Sequence, residues 1–175
     1  MLTIKENILI PTSGIDESNA NGYYILRPEK LYKAAKEIYN FIKKNYKLKQ
    51  FGIIISDSHT TPLRNGVMGI GLSYYGFHPL KDYRGKKDIF GRELKMSQTN
   101  IVDSLAACAV YVMGEGNEQT PIAIIEDAGD IKFGEPFGPA QVEKDCSTKN
   151  PLIIDIDDDI YSPLIKSTKW QKGGK

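Results

Sequence analysis

Two stretches of the chain carry apolar residues at helical spacing. The first follows Pro28, which suits the first turn of a helix, and it predicts a helix over residues 29–46. The second predicts a helix over residues 100–113, with Thr99 as its cap and glycines at 114 and 116 ending it. The predicted apolar face of the first helix consists of Leu31, Ala34, Ala35, Ile38, Phe41, Ile42 and Tyr46.

Other runs are typical of β-strands, because they are short, rich in β-branched or aromatic residues and bounded by Gly, Pro or polar turns. They cover residues 5–10, 23–26, 51–56, 67–75 and 121–125, whereas residues 78–96 fit no single element. Helices and strands do not alternate in the regular order of a doubly wound fold. We therefore predict an α+β fold, a mixed or antiparallel sheet with at least two packed helices.

The periodicity fades from Asp127 onward, where Gly, Pro and Asp accumulate. This change predicts a core domain over residues 1–126 and a C-terminal extension over residues 127–175. The extension is expected to consist of long loops and a solvated acidic turn at 155–159, with a long surface loop over 132–150.

Composition and charge exclude several classes of protein. The 175 residues carry 23 Lys+Arg against 22 Asp+Glu, a net charge of +1, which argues against a general nucleic-acid binder. No apolar run approaches the length of a membrane span. Of the two cysteines, Cys108 lies in an Ala-rich helical stretch and is expected in the core, and neither belongs to a zinc-binding pair. We predict a cytoplasmic protein with no membrane or nucleic-acid partner.

Acidic residues in two loops are the first candidates for chemistry. Asp16 and Asn19 lie in a polar loop, a spacing that is also typical of an ordinary turn. Asp57 directly follows the apolar run, where it suits a hard-cation or phosphate site and equally suits a turn cap. Glu115 follows the second helix, where the helix dipole disfavours negative charge, so it indicates full exposure or a nearby cation.

Three arginines in glycine-containing loops are candidates for binding anions. Arg64, Arg84 and Arg92 each suit a carboxylate or phosphate, and each is equally compatible with a surface position. Together, arginines around acidic residues would suit a polyanionic substrate.

The order of these motifs resembles a known family. Ser-Gly-Ile-Asp-Glu-Ser-Asn at 13–19 is followed by Ile-Ile-Ser-Asp-Ser at 54–58, Pro-Leu-Arg-Asn-Gly at 62–66, Asp-Tyr-Arg-Gly at 82–85, Phe-Gly-Arg-Glu-Leu at 90–94 and Val-Met-Gly-Glu at 112–115. This set is similar to the coenzyme F420-0:L-glutamate (γ-glutamyl) ligases, in particular bacterial members assigned to folate metabolism. The resemblance implies a homodimeric, GTP-dependent enzyme with Mg²⁺ or Mn²⁺, which joins L-glutamate to an acidic small-molecule acceptor through an acyl phosphate.

The resemblance also implies roles for individual residues. Asp16 and Asp57 match ligands of a first metal, and Ser58 and Glu115 match ligands of a second. Arg64, Arg84 and Arg92 are expected to contact substrate anions, as catalytic residues, or to hold the motifs through ion pairs. The residues expected to contact GTP are Asn19, Met113, Gly114, Glu115, Gly116, Asn117, Glu118, Gln119 and Thr120.

Two departures from the family pattern leave alternatives open. Thr60-Thr61-Pro62-Leu63-Arg64 stands where the family commonly has Gly-Arg-Pro-Trp-Arg, which favours an acceptor other than the deazaflavin precursor. Few residues precede the Gly-Ile-Asp motif, so we expect a short form, a fragment or half of a split ligase. The alternative function is a catalytically silent metal- and nucleotide-binding or dimer-assembly module.

Overall fold

The computed structural model describes residues 1–135 and 150–173. Its strands are β1 (Leu2–Lys5), β2 (Ile8–Pro11), β3 (Ile53–Thr60), β4 (Val67–Tyr75), β5 (Leu80–Asp82) and β6 (Gln98–Asn100). Its helices are α1 (Leu31–Tyr46), α2 (Ile101–Met113) and α3 (Ser162–Lys166), and a 3-10 turn covers Thr12–Gly14. Within the described ranges the strands form three antiparallel pairs, β1–β2, β3–β4 and β5–β6. This architecture confirms the predicted α+β class.

The β3–β4 hairpin is the centre of the fold. Its register is continuous except for a bulge at Ile55 and Ser56, which increases the local twist. Both long helices pack on it, and the core contains Ala35, Tyr74 and Val102, all almost fully buried. The hairpin therefore positions the two long helices and the loops that follow them.

Helix α1 buries a different stripe from the one that its aliphatic residues predict. Leu31 and Ala35 are buried as expected, but Tyr32 and Tyr39 complete the stripe. Of the predicted face, Ile38, Phe41 and Tyr46 are exposed. Tyrosines pack well here because the neighbours are aromatic: Tyr39 stacks on Phe51 with ring centroids 4.4 Å apart.

Helix α2 packs closely on β4 because two glycines of that strand remove the side chains between them. A Cβ at Gly69 would lie 2.1 Å from the carbonyl oxygen of Ala106, and one at Gly71 would lie 2.2 Å from Val102 Cγ1. Asp103 also accepts a hydrogen bond of 2.8 Å from the Gly71 backbone N–H. The helix begins at Asn100, which caps it by accepting from the Asp103 N–H, so the prediction of Thr99 as the cap is wrong by one residue.

Three strand predictions are corrected. Residues 5–10 are not one strand: β1 and β2 form a hairpin, and Glu6 and Asn7 turn with positive φ angles. Residues 23–26 contribute only an isolated bridge between Asp16 and Ile25. Residues 121–125 pair with no strand among the described residues, and Ile122 is 81% exposed. Apolar runs alone do not show which strands find a partner.

Residues beyond 126 contribute to the core. Asn150 is buried, where it accepts a hydrogen bond of 2.9 Å from the Tyr74 hydroxyl and donates to Tyr32. The His78 backbone N–H also donates to the carbonyl of Lys132 at 2.9 Å. The loop predicted over 132–150 lies largely outside the described residues.

Among the helices that the structure describes, none has the length and apolar character needed to cross a membrane.

Candidate functional site

A cleft of about 590 Å³ lies where the end of α2 approaches β3. It brings together three stretches that are far apart in sequence: the polar loop at 13–19, the middle of β3 and the segment after α2. Its lining residues are Asn19, Ser56, Asp57, Ser58, Val110, Met113, Gly114, Glu115, Gly116, Asn117, Glu118, Gln119, Thr120 and Pro121. Every residue that we expected to contact the nucleotide therefore faces this cleft.

The polar loop is joined to the segment after α2 by one side chain. Asn19 donates through Nδ2 to the backbone carbonyl of Gly116 at 3.0 Å. Its φ of 53° is tolerated by asparagine better than by most residues. The loop is also held by the backbone bonds between Asp16 and Ile25. Asn19 thus holds two sides of the cleft together.

Asp16 does not line the cleft, although it belongs to the same loop as Asn19. Its carboxylate accepts hydrogen bonds from the N–H and the hydroxyl of Ser18, at 2.9 and 2.8 Å. These bonds, the one from the backbone first, lower the pKa of Asp16 below its ordinary value. The local geometry is a side-chain turn, as the spacing in the sequence also allowed.

Asp57 lies inside β3, which continues to Thr60. The end of the apolar run had suggested that Asp57 follows the strand, and that prediction is wrong. Its Oδ2 accepts two hydrogen bonds from Arg27, from Nε at 3.1 Å and Nη2 at 2.7 Å. Its Oδ1 accepts from the Ser58 N–H at 2.8 Å. The Arg27 side chain is only 4% exposed, and its Nη1 lies 3.8 Å from Glu6.

Arg27 was missed in the sequence because nothing local distinguishes it. It follows an apolar run and precedes a proline, a position that indicates no chemistry. A weak signal was Gly14 of the Gly-Ile-Asp motif. That glycine has a φ of 68°, and a Cβ there would lie 2.3 Å from Arg27 Nε, so the guanidinium packs directly against its backbone.

The segment after α2 folds back on itself. Gly114 ends the helix with a φ of 81°, and the Gly116 N–H donates to Glu118 Oε2 at 2.8 Å. Thr120 also donates its hydroxyl to the carbonyl of Met113 at 2.7 Å. These bonds give the segment a defined shape beside the C-terminal end of the helix.

The charges of the cleft are one-sided. Asp57, Glu115 and Glu118 line it together with the negative end of the α2 dipole, and no Lys, Arg or His is among its lining residues within the described chain. Of these three acids, only Asp57 has a cationic partner among the described residues, and that partner is Arg27. The cleft therefore favours cations, and it repels a bare polyanion.

The acids line one cleft without forming a ready-made metal cage. Across residues 1–135 and 150–173, no three His, Cys, Asp or Glu side chains lie close enough to hold an ion. Carboxylates and the Ser58 hydroxyl are nevertheless the hard oxygen donors that Mg²⁺ and Mn²⁺ take. Mg²⁺ is commonly held by one or two carboxylates, with its other ligands from water and phosphate.

The three candidate arginines lie away from the cleft. All three are exposed: Arg64 lies between β3 and β4, and Arg84 and Arg92 lie in the connection between β5 and β6. Arg84 donates three hydrogen bonds to Asp82 within a turn, and the pKa of Asp82 falls to about 2, chiefly through those bonds. For Arg84 the structure matches the ion-pair alternative, and the proposed contacts of all three with substrate stay predictions.

A larger cavity of about 1260 Å³ adjoins the next residues of β3. His59 and Asp103 line it, and most of its remaining lining is apolar. His59 Nδ1 is buried and has no hydrogen-bond partner in the described chain. Burial lowers the pKa of His59 despite the opposing charges of Asp103 and Asp57. Nothing in the sequence around His59 indicates that it lines a cavity.

Comparisons with known proteins identify the family of the chain. The family model for "F420-0:Gamma-glutamyl ligase" matches residues 1–127. Two similar proteins are both named coenzyme F420:L-glutamate ligase. The protein of Methanococcus maripaludis strain S2 is 42% identical over 140 residues, which cover 80% of this chain and 56% of the relative. The protein of Methanocaldococcus jannaschii is 40% identical over 134 residues, 77% and 53% of the two chains.

The extent of the match is also informative. The chain spans about half the length of the curated relatives that it matches. The match to the family model includes all three stretches that form the cleft. With 127 matched residues and relatives well above 30% identity, the chain belongs to the F420-0:gamma-glutamyl ligase family.

Proposed function

We propose that the chain carries the nucleotide and metal site of a γ-glutamyl ligase, which forms an amide between the amine of L-glutamate and a carboxylate of an acidic acceptor. The names of the relatives support L-glutamate and a coenzyme F420-type acceptor. A folate-type acceptor is the second candidate. GTP with Mg²⁺ or Mn²⁺ is the proposed source of energy.

The observation that carries this proposal is the shared cleft. Asn19, Asp57 and the segment at 113–120 come from three distant parts of the sequence, and all of them line one cavity. A structural role alone would not require so many polar residues and glycines at one concave surface. Such a surface is where a small polar ligand is expected to bind.

The charge of the cleft supports a role for a divalent cation. A triphosphate carries several negative charges, and the cleft offers three carboxylates and a helix C-terminus. We propose that Asp57, Ser58 and Glu115 hold the cation and that phosphate oxygens complete its oxygen shell. When bound, the cation neutralises charge that develops as the γ-phosphoryl group is transferred.

The proposed reaction has two steps. A carboxylate oxygen of the acceptor attacks the γ-phosphorus of GTP, the bond to GDP breaks, and an acyl phosphate forms. The amine of L-glutamate then attacks the acyl carbon, phosphate leaves, and the amine loses a proton. Asn19 and the segment at 113–120 orient the nucleotide in this scheme.

The test is amide formation by the purified chain. It is incubated with L-glutamate, GTP, Mg²⁺ or Mn²⁺, and in separate reactions a coenzyme F420-type or a folate-type acid. Mass spectrometry is expected to detect one added glutamyl group and release of GDP. Asp57→Asn and Glu115→Gln are expected to abolish turnover, whereas Glu17→Gln, an exposed acid beside Asp16, is expected to retain it.

The second candidate function is a binding module without turnover, because none of the three candidate arginines lines the cleft. Isothermal titration with GTP and Mg²⁺ separates the two functions. Tight binding without amide formation for either acceptor would favour the module or one half of a two-chain ligase. Absence of both binding and turnover would contradict the ligase proposal for this chain.

We also propose that a second copy covers the outer face of α2. Helices that are apolar on all sides are normally buried, and α2 has a single charged residue, Asp103. Yet Cys108 is exposed, contrary to our prediction of a core position, and Tyr111 is 88% exposed. Sedimentation is expected to show a dimer that Tyr111→Glu dissociates, whereas Tyr46→Glu on α1 should leave it intact. A wild-type monomer at micromolar concentration would contradict the dimer.

A further inference from the structure

Arg27 contacts only one of the two carboxylate oxygens of Asp57. Both hydrogen bonds from the guanidinium go to the same oxygen, Asp57 Oδ2, at 3.1 and 2.7 Å. Among the described residues, the other oxygen, Oδ1, accepts a hydrogen bond from the Ser58 backbone N–H alone. One carboxylate oxygen is therefore occupied by a buried cationic group, and one remains for a ligand.

Arg27 is well placed to hold this arrangement. Its side chain is 4% exposed, so its position is determined by packing and not by solvent. It lies against the backbone of Gly14, where any side chain would clash, and near the carboxylate of Glu6. It also follows Ile25, which pairs with Asp16, by two residues. Arg27 thus connects the polar loop to β3.

We propose that Arg27 is a positioning residue that makes Asp57 a one-oxygen ligand and thereby selects small divalent cations over Ca²⁺. This inference rests on the proposed metal-dependent function. Ca²⁺ takes six to eight oxygens and is often bound by both oxygens of a carboxylate, whereas Mg²⁺ takes six in near-octahedral geometry. A carboxylate that offers one oxygen disfavours the larger ion.

The experiment measures cation binding without turnover. Free Mn²⁺ is followed by electron paramagnetic resonance as it is added to the purified chain with GDP, and Mg²⁺ or Ca²⁺ is then added as competitor. In Arg27→Gln and Arg27→Lys, Ca²⁺ is expected to gain on Mg²⁺ by roughly tenfold, the lower range for loss of a partner of a metal ligand. Lys33→Gln removes the same charge on the exposed side of α1 and should change nothing.

A charge-retaining variant and a double variant keep the inference testable. Arg27→Lys retains the charge, so it remains usable if Arg27→Gln does not fold, which thermal melting followed by circular dichroism will show. In an Asp57→Asn background, Arg27→Lys is expected to have no effect on the Ca²⁺ to Mg²⁺ ratio, because the coupling acts through Asp57.

The outcomes are distinct. A shift in the ratio that depends on Asp57 supports the inference. An unchanged ratio in folded Arg27→Lys, or an equal shift without Asp57, overturns it while the ligase proposal stands. Failure of the wild-type chain to bind Mn²⁺ overturns both.

Discussion

Replacing Gly69 with alanine tests the close packing on which the cleft depends. The added Cβ would lie 2.1 Å from the carbonyl oxygen and 2.5 Å from the carbonyl carbon of Ala106 in α2. Both are backbone atoms of a helix, so neither can rotate away. Relief of the clash requires that α2 move outward from β4 as a unit.

The magnitude follows from that geometry. Overpacking a core commonly costs about 1–3 kcal/mol, and a backbone clash belongs at the upper end, so we expect a loss of about 3 kcal/mol in the free energy of unfolding. For a chain of this size the melting temperature should fall by about 6–12 °C. Gly71→Ala meets a methyl group of Val102 instead, and should cost about 1–2 kcal/mol.

The assay is thermal and urea unfolding followed by circular dichroism, with Gly173→Ala as the matched control. No atom lies within 4 Å of a Cβ at Gly173, so this variant should melt with the wild type. If Gly69→Ala also melts with the wild type, α2 does not approach β4 as closely as described, and the placement of the 113–120 segment is wrong with it. A larger loss for Gly71→Ala than for Gly69→Ala would refute the argument from backbone rigidity.

Three further predictions follow from single side chains. Arg84→Gln should return the pKa of Asp82 from about 2 towards about 3.9, measured by NMR titration. Because the pKa in the folded protein is the lower one, the stabilisation from this ion pair is present above about pH 4 and is lost towards pH 2. An unchanged pKa in the variant would refute the ion pair. Asn150→Ala loses three hydrogen bonds in or beside the core and should destabilise the protein by about 3 kcal/mol in urea unfolding; a loss below about 1 kcal/mol would contradict the buried network. Asn19→Ala should weaken GTP binding in calorimetry with little change in melting temperature, since its bond to Gly116 is exposed; unchanged affinity would contradict its role.

The extent of the longer elements was predicted well. Helix α2 was expected at residues 100–113 and lies at Ile101–Met113, and the strand expected at 67–75 is β4. Polar residues and glycines bound these apolar segments, so the sequence marks where each element begins and ends. The buried tyrosines of α1 were missed because Tyr32 and Tyr39 find aromatic partners elsewhere in the chain.

Pairing between distant segments was the part that the sequence could not supply. Residues 121–125 have the composition of a strand, but pair with none in the described chain. Residues 56–60 have polar side chains, but they extend β3 because β4 pairs with them. The same limit applies to the site, since Arg27 became evident only when the fold placed it on Asp57.

The electrostatics of the cleft explain why the same acids can serve stability and function. Asp57 lies on a strand of the central hairpin, and its half-buried carboxylate is paired with the buried guanidinium of Arg27. Glu115 and Glu118 lie in exposed segments, where water solvates them, so they can remain uncompensated until a cation arrives. If every acid of the cleft were paired with a basic side chain, the cleft would attract a cation only weakly. If none were paired, repulsion between the carboxylates would destabilise the fold around the cleft. The division between a paired acid on the strand and unpaired acids on the loop therefore supports the proposed function, in which the site is stable when empty and attracts a cation before it accepts a phosphate.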